Sequence, residues 1–203
     1  MIVGLTGGMG CGKSTALELF RKEGFRTVES DRIVRDLLEG DAEVRESIRA
    51  HFGTGVFGKD GTIDRSALGA RVFSDDGHLR WLEGLLHPRV RAAWRAKVAA
   101  EPEKDWMVEI PLLFEKKLEK IFDCVISIVA SDSVAWERLK SKGLSEETIQ
   151  ARKSRQLSAQ EKAQRADFVI LNDGSASFLK SQVEMCSQQL RNLPAKKQTI
   201  DHE

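Results

Sequence analysis

Short apolar runs alternate along the chain with longer stretches whose apolar residues recur at helical spacing, the pattern of βα units that build a mostly parallel sheet. The runs IVGLT (2–6), FRTVE (25–29), WMVEI (106–110), DCVISIV (123–129) and DFVIL (167–171) predict five strands, each followed by a helix. The last helix is the most legible, because Leu179, Val183, Cys186 and Leu190 share one face. Ser175 is its expected N-cap. From 194 to 203 (PAKKQTIDHE) the apolar pattern stops, which predicts a frayed tail.

The spacing of the strands is uneven. About 75 residues separate the second from the third, far more than one crossover helix needs, so an insertion with its own helices is expected there. Its glycine-rich stretch GTGVFGKDG (53–61) neither follows a strand nor opens a helix and reads as a surface turn, not a phosphate cradle. A second helical insertion, roughly 131–165, precedes the fifth strand. The expected organisation is one domain over 1–193, with core segments 1–30, 106–130 and 167–193 and insertions 31–105 and 131–166.

Composition narrows the function. The 203 residues carry 32 Lys+Arg against 31 Asp+Glu, a net charge of +1 that gives no global pull toward nucleic acid or an anionic membrane. The three cysteines, Cys11, Cys124 and Cys186, fit neither a disulfide framework nor a metal-binding spacing. No run approaches the length of a membrane span or a signal-peptide core. A cytoplasmic, soluble protein is expected, a monomer or small homo-oligomer, with small-molecule partners and neither nucleic acid nor membrane among them.

Directly after the first predicted strand stands GLTGGMGCGKST (4–15). It satisfies G-x-x-x-x-G-K-[ST], in which glycines let the main chain curl so that successive N–H groups face a bulky anion. A helix from Lys13 to about Glu23 would add the positive end of its dipole. Gly8, Gly10, Cys11, Gly12, Lys13, Ser14 and Thr15 are the expected ATP-binding set, with Lys13 on the β- and γ-phosphates and the Ser14 hydroxyl on Mg²⁺. Cys11 reads as a small loop residue or as a thiol activated by the helix terminus.

A phosphate loop serves switches, motors, sensors and kinases alike. A guanine-reading Asn-Lys-x-Asp is missing where it would fall, since the chain reads Asn172-Asp173-Gly174-Ser175. A small-molecule kinase fits best, and it needs an acceptor-side carboxylate. Asp31, just past the second strand in TVESDRIV, stands where ligands of open α/β sheets gather. Its other reading is a cap on a helix starting at Arg32. Segment 131–165 holds eight basic and five acidic residues, a local charge of +3 that suits a lid over phosphates. Arg138 with Lys142, and Arg152 with Arg155, are expected to share helix faces.

The ordered set LTGGMGCGKST, SDRIVRDLL, HFG, DGTIDRSAL, LLHP, IPLLFE, GLSEE and ADFVILNDGS resembles the dephospho-coenzyme A kinase family from about residue 2 to 190. The resemblance implies a P-loop α/β fold with a five-stranded parallel sheet in the order 2-3-1-4-5, an acceptor-binding insertion and a helical lid. It also implies transfer of phosphate from MgATP to the ribose 3′-hydroxyl of dephospho-coenzyme A. In that pattern Asp31 is the base, Arg65, His87 and Pro111 fall on the acceptor side, and Arg138 is the lid arginine. Asn172 falls on the adenine-side turn, where it either bonds the base or forms an Asx turn. Glu109, near the end of the third predicted strand, departs from the family pattern, where relatives often have an apolar residue. By its own chemistry it reads as an acid holding a magnesium-bound water in the manner of a Walker-B acid. Glu29 takes a place where relatives often have aspartate.

Overall fold

The computed structural model describes residues 1–193, so the tail expected at 194–203 lies outside the described residues. The chain divides into two compact units, Met1–Glu29 with the segment after Pro102, and Ser30–Glu101.

The first unit is built on strands β1 (Ile2–Gly7), β2 (Arg26–Glu29), β3 (Trp106–Glu109), β4 (Cys124–Val129) and β5 (Phe168–Leu171). They form one five-stranded sheet in the order β2-β3-β1-β4-β5, with every pairing parallel. Both predicted order and predicted strands agree with this arrangement, the ends shifting by a residue. β3 and the central part of β1 and β4 are buried throughout, as strands covered on both faces must be, which is why they read as continuous apolar runs. Gly4 in β1 leaves room for Leu113 and Phe122: a Cβ there would stand 2.7 Å from Leu113 Cδ1.

Helices α1 (Lys13–Lys22) and α9 (Ala176–Arg191) pack together against this sheet. Phe20 and Leu17 of α1 join Leu179, Val183 and Leu190 of α9 and Val3, Leu5 and Ile126 of the sheet in one core. Ser175 caps α9 by accepting from the Phe178 N–H, as its position predicts. Between β4 and β5 run α6 (Asp132–Ser141), α7 (Glu146–Lys153) and α8 (Ala159–Arg165). Because β3 and β4 lie on opposite sides of β1, the chain reverses its direction of travel across the sheet at β1. The crevice beyond the carboxyl end of such a strand is where open α/β sheets bind ligands.

The second unit is helical: α2 (Ser30–Gly40), α3 (Ala42–Phe52), α4 (Arg65–Phe73) and α5 (Asp76–Ala100). Its own core gathers Leu38, Val44, Ile48, Val56, Leu68, Val72 and Leu86. Asp41, Asp64 and Asp75 cap α3, α4 and α5 by accepting backbone N–H bonds in the first turn. The glycine-rich stretch at 53–61 forms a single 3-10 turn, Thr54–Val56, and then a bridge from Phe57 to Ile63, closed by Thr62 donating twice to Asp60 Oδ1. Among the described residues no helix is long and apolar enough to cross a membrane.

Candidate nucleotide site

The loop between β1 and α1 leaves the sheet at Gly7 and makes its turns at glycines of positive φ, Gly10 (φ 80°) and Gly12 (φ 90°). Neighbours also demand glycine there. A Cβ at Gly10 would lie 2.6 Å from the Ala135 carbonyl oxygen of α6, and one at Gly12 would lie 2.2 Å from Asn172 Nδ2. Gly12 is the N-cap of α1 and offers no side-chain cap, and the first turn contains no acid. The helix therefore presents its positive end without an internal anion. Lys13 Nζ folds back onto the loop, donating to the carbonyls of Gly7 (3.2 Å) and Gly8 (3.1 Å). Ser14 and Thr15 are exposed on the first turn.

Cys11 is 2% exposed, and burial pushes its thiol up against the opposing pull of Lys13. Desolvation thus outweighs the pull of the nearby Lys13 on this packed loop cysteine. A cavity of about 690 Å³ opens beside the loop, lined by Gly8, Met9 and Cys11, by Ser131 and Asp132 at the start of α6, and by Lys153 and the 156–161 turn.

Arg138 reaches the same loop from α6. Its Nη2 donates to the Asn172 carbonyl at 2.9 Å, while its Nη1 is buried with no hydrogen-bond partner. Asn172, just past β5, is itself buried, and its Nδ2 donates to the Cys11 carbonyl at 2.8 Å. The side-chain amide is thus committed to the phosphate loop, a role that neither of the two sequence readings contained. Lys142 is the C-cap residue of α6 and Arg155 lies two residues beyond the end of α7, so each expected basic pair, Arg138 with Lys142 and Arg152 with Arg155, straddles a helix end. Gly143 and Ser154 belong to the turns that stop these helices.

Sequence reasoning missed Lys162. It sits in α8, whose start is set by a capping box between Ser158 and Glu161. Its side chain is 0% exposed and its Nζ is 3.0 Å from Glu115 Oε1 and 2.8 Å from the Pro111 carbonyl. Thr6 Oγ1 donates to that same carbonyl at 3.2 Å, so the turn after β3 is gripped from β1 and from α8. Burial lowers the Lys162 pKa, and the adjoining Glu115 carboxylate opposes the shift. A lone lysine in a basic helix gives no sequence signal of burial. The only available hint was the acid in PLLFE, which needs a partner if that turn packs inward.

Glu109 is buried at the end of β3 and stands in register with Leu5 on one side and Glu29 on the other. In the helical unit, Asp31 is exposed in the first turn of α2. α2 begins at Ser30, so Asp31 is not the N-cap of a helix starting at Arg32. Arg65 opens α4 and is exposed. His87 is exposed within α5, directly before Pro88, whose missing N–H falls opposite Gly84 on an exposed stretch where water can serve the carbonyl.

A parallel sheet in this order, with a glycine-lysine loop at the end of its central strand, defines a P-loop protein of the small-molecule kinase type. The Dephospho-CoA kinase family model matches residues 1–177. The chain is 40% identical over 194 residues to the dephospho-CoA kinase of Anaeromyxobacter dehalogenans (strain 2CP-C), covering 94% of this chain and 92% of that one. Its fold superposes on dephospho-CoA kinase from Campylobacter jejuni with a TM-score of 0.68 at 30% identity, covering 93% and 96% of the two chains. With the crystal structure of TT1252 from Thermus thermophilus the TM-score is 0.80 at 32% identity, covering 94% and 97%. The chain belongs to the dephospho-CoA kinase family.

Proposed function

We propose that this protein transfers the γ-phosphoryl group of ATP to the ribose 3′-hydroxyl of dephospho-coenzyme A, giving ADP and coenzyme A, the last step of coenzyme A biosynthesis. It does so in the cytoplasm on small molecules alone. The observation that carries this reading is the Gly7–Ser14 loop, whose positive-φ glycines and acid-free, uncapped helix start are suited to a polyphosphate, in a chain that matches its family along most of its length.

Phosphoryl transfer is mostly positioning and charge neutralisation. Lys13 exchanges its bonds to the Gly7 and Gly8 carbonyls for the β- and γ-phosphates, so the cation is already held at the loop before nucleotide arrives. Gly8, Gly10, Cys11, Gly12 and Thr15 supply main-chain and hydroxyl contacts around the phosphates. Arg138, with a buried donor still unpaired, adds positive charge beside the loop. The exposed Ser14 hydroxyl is a hard oxygen donor of the kind Mg²⁺ accepts, and with phosphate oxygens and water it would hold that ion. When bound, Mg²⁺ neutralises charge on the β- and γ-oxygens.

Asp31 accepts or orients the proton of the attacking 3′-hydroxyl, and Arg65, His87 and Pro111 act on the acceptor side. Incubation with MgATP and a panel of acceptors tests the whole reading. ADP release with dephospho-coenzyme A is the expected result. Release with a nucleoside monophosphate or a sugar instead would reassign the substrate, and tight ATP binding without turnover on any acceptor would mark a sensor.

A further inference from the structure

Two parts of the nucleotide site meet on one residue. Asn172 ends the β5 ladder, its N–H donating to the Val129 carbonyl at 2.7 Å. From that fixed point its side-chain amide reaches the Cys11 carbonyl at 2.8 Å, and its own carbonyl receives Arg138 Nη2 at 2.9 Å. The peptide between Cys11 and Gly12 is planar and trans, so holding its carbonyl on Asn172 turns the Gly12 N–H the opposite way. Gly12, at φ 90° with no Cβ, has little restraint of its own on that plane. The approach is so close that a Cβ at Gly12 would overlap Asn172 Nδ2 at 2.2 Å and stand 3.7 Å from Arg138 Nη1.

The geometry points to Asn172 as a positioning residue for phosphoryl transfer: one side chain and one carbonyl set the Cys11–Gly12 peptide and the Arg138 guanidinium at a fixed separation, and the residue does not read the nucleotide base. This rests on the phosphotransferase reading above. It differs from the base-contact reading, one of the two open for the adenine-side turn, because the amide nitrogen donates to the Cys11 carbonyl of the loop. With the amide gone, the peptide plane is free to rotate and the arginine loses its register with the loop. The affinity for phosphates and the rate of transfer should both fall, while discrimination between bases should not.

The test compares the wild-type protein with Asn172→Asp, which keeps the shape and replaces the amide donor with an acceptor facing the Cys11 carbonyl, and with Asn172→Ala. Binding of ATP, GTP and inorganic tripolyphosphate is measured by calorimetry, so the readout does not depend on the acceptor. Tripolyphosphate affinity should fall about tenfold or more, the ATP-to-GTP affinity ratio should stay within about twofold of wild type, and kcat should fall more than KM rises. A second measurement is the double substitution with Arg138→Lys, whose loss in kcat should be well short of the product of the single losses, since both act through one arrangement. A collapsed ATP-to-GTP ratio with tripolyphosphate binding retained would make Asn172 a base reader and overturn the proposal. Unchanged tripolyphosphate affinity in a variant that melts like wild type would overturn it equally. If Asn172→Asp does not fold, Asn172→Ala is read by the same two ratios. Failure of the wild-type protein to phosphorylate dephospho-coenzyme A would refute the activity and leave these binding ratios to decide the role of Asn172.

Discussion

Replacing Lys162 with methionine removes the ammonium and keeps the length of the side chain. In the folded protein this leaves the Glu115 carboxylate, 13% exposed, with the Leu157 N–H at 2.9 Å as its remaining donor, and leaves the Pro111 carbonyl with the longer bond from Thr6. Glu115 Oε2 is already buried without a partner, so the carboxylate has nowhere to turn for compensation. Breaking a buried ion pair from one side costs about 3–5 kcal/mol, because the remaining charge stays desolvated. For a chain of this size that corresponds to a fall in melting temperature of roughly 6–20 °C, at about 2–4 °C per kcal/mol. Calorimetric or circular-dichroism melts at neutral pH read the change. The second arm is Lys162→Met with Glu115→Leu, which removes both charges at similar volume and should recover most of the loss. A single variant that melts within about 2 °C of wild type, where the cited range predicts several degrees, would show that the pair is hydrated in solution. A double variant as unstable as the single one would show that the loss is packing and not charge.

Three further outcomes are expected, the first resting on the proposed function. Asp31→Asn should leave ATP affinity nearly intact while lowering kcat by on the order of a hundredfold, measured by coupled ADP release; full activity would remove Asp31 from the chemistry. Gly12→Ala forces a Cβ into Asn172 at a φ of 90° and should destabilise the protein by about 1–3 kcal/mol in urea unfolding. Gly8→Ala, where a Cβ meets nothing within 4 Å, should unfold like wild type, and equal effects of the two would refute the close approach. Burial pushes Cys186 up to about 12, so its thiol is favoured neutral in the fold; that stability is fully present below the ordinary thiol range near 8.5 and lost as pH rises toward 12. Stability measured against pH should therefore decline on that alkaline limb, less steeply in Cys186→Ala, and an identical decline in both would rule the thiol out.

What could be read along the chain was whatever depends on neighbours in sequence. The strand positions followed from continuous apolar runs, because strands covered on both faces tolerate little else, and β1, β3 and β4 are such strands. The α9 stripe and its Ser175 cap were legible for the same reason, being set within a few residues. The phosphate loop was legible because its chemistry is a contiguous main-chain shape. The sheet order came from family resemblance, since no local pattern orders parallel strands, and the start of α2 was placed two residues late because Ser30 and Asp31 are both acceptable at a helix N-terminus.

The tertiary structure alone decided how that loop is held. Asn172 and Cys11 are 161 residues apart, and Lys162 and Pro111 are 51 apart, so neither contact leaves a periodicity to detect. An asparagine in a turn and a lysine in a basic helix look solvated until the sheet brings β5 beside β4 and α8 against β1 and β4. Once those elements close, each polar group must find a partner or forfeit its hydration, and that requirement put the Asn172 amide on the Cys11 carbonyl and buried the Lys162 ammonium against Glu115 and the Pro111 carbonyl.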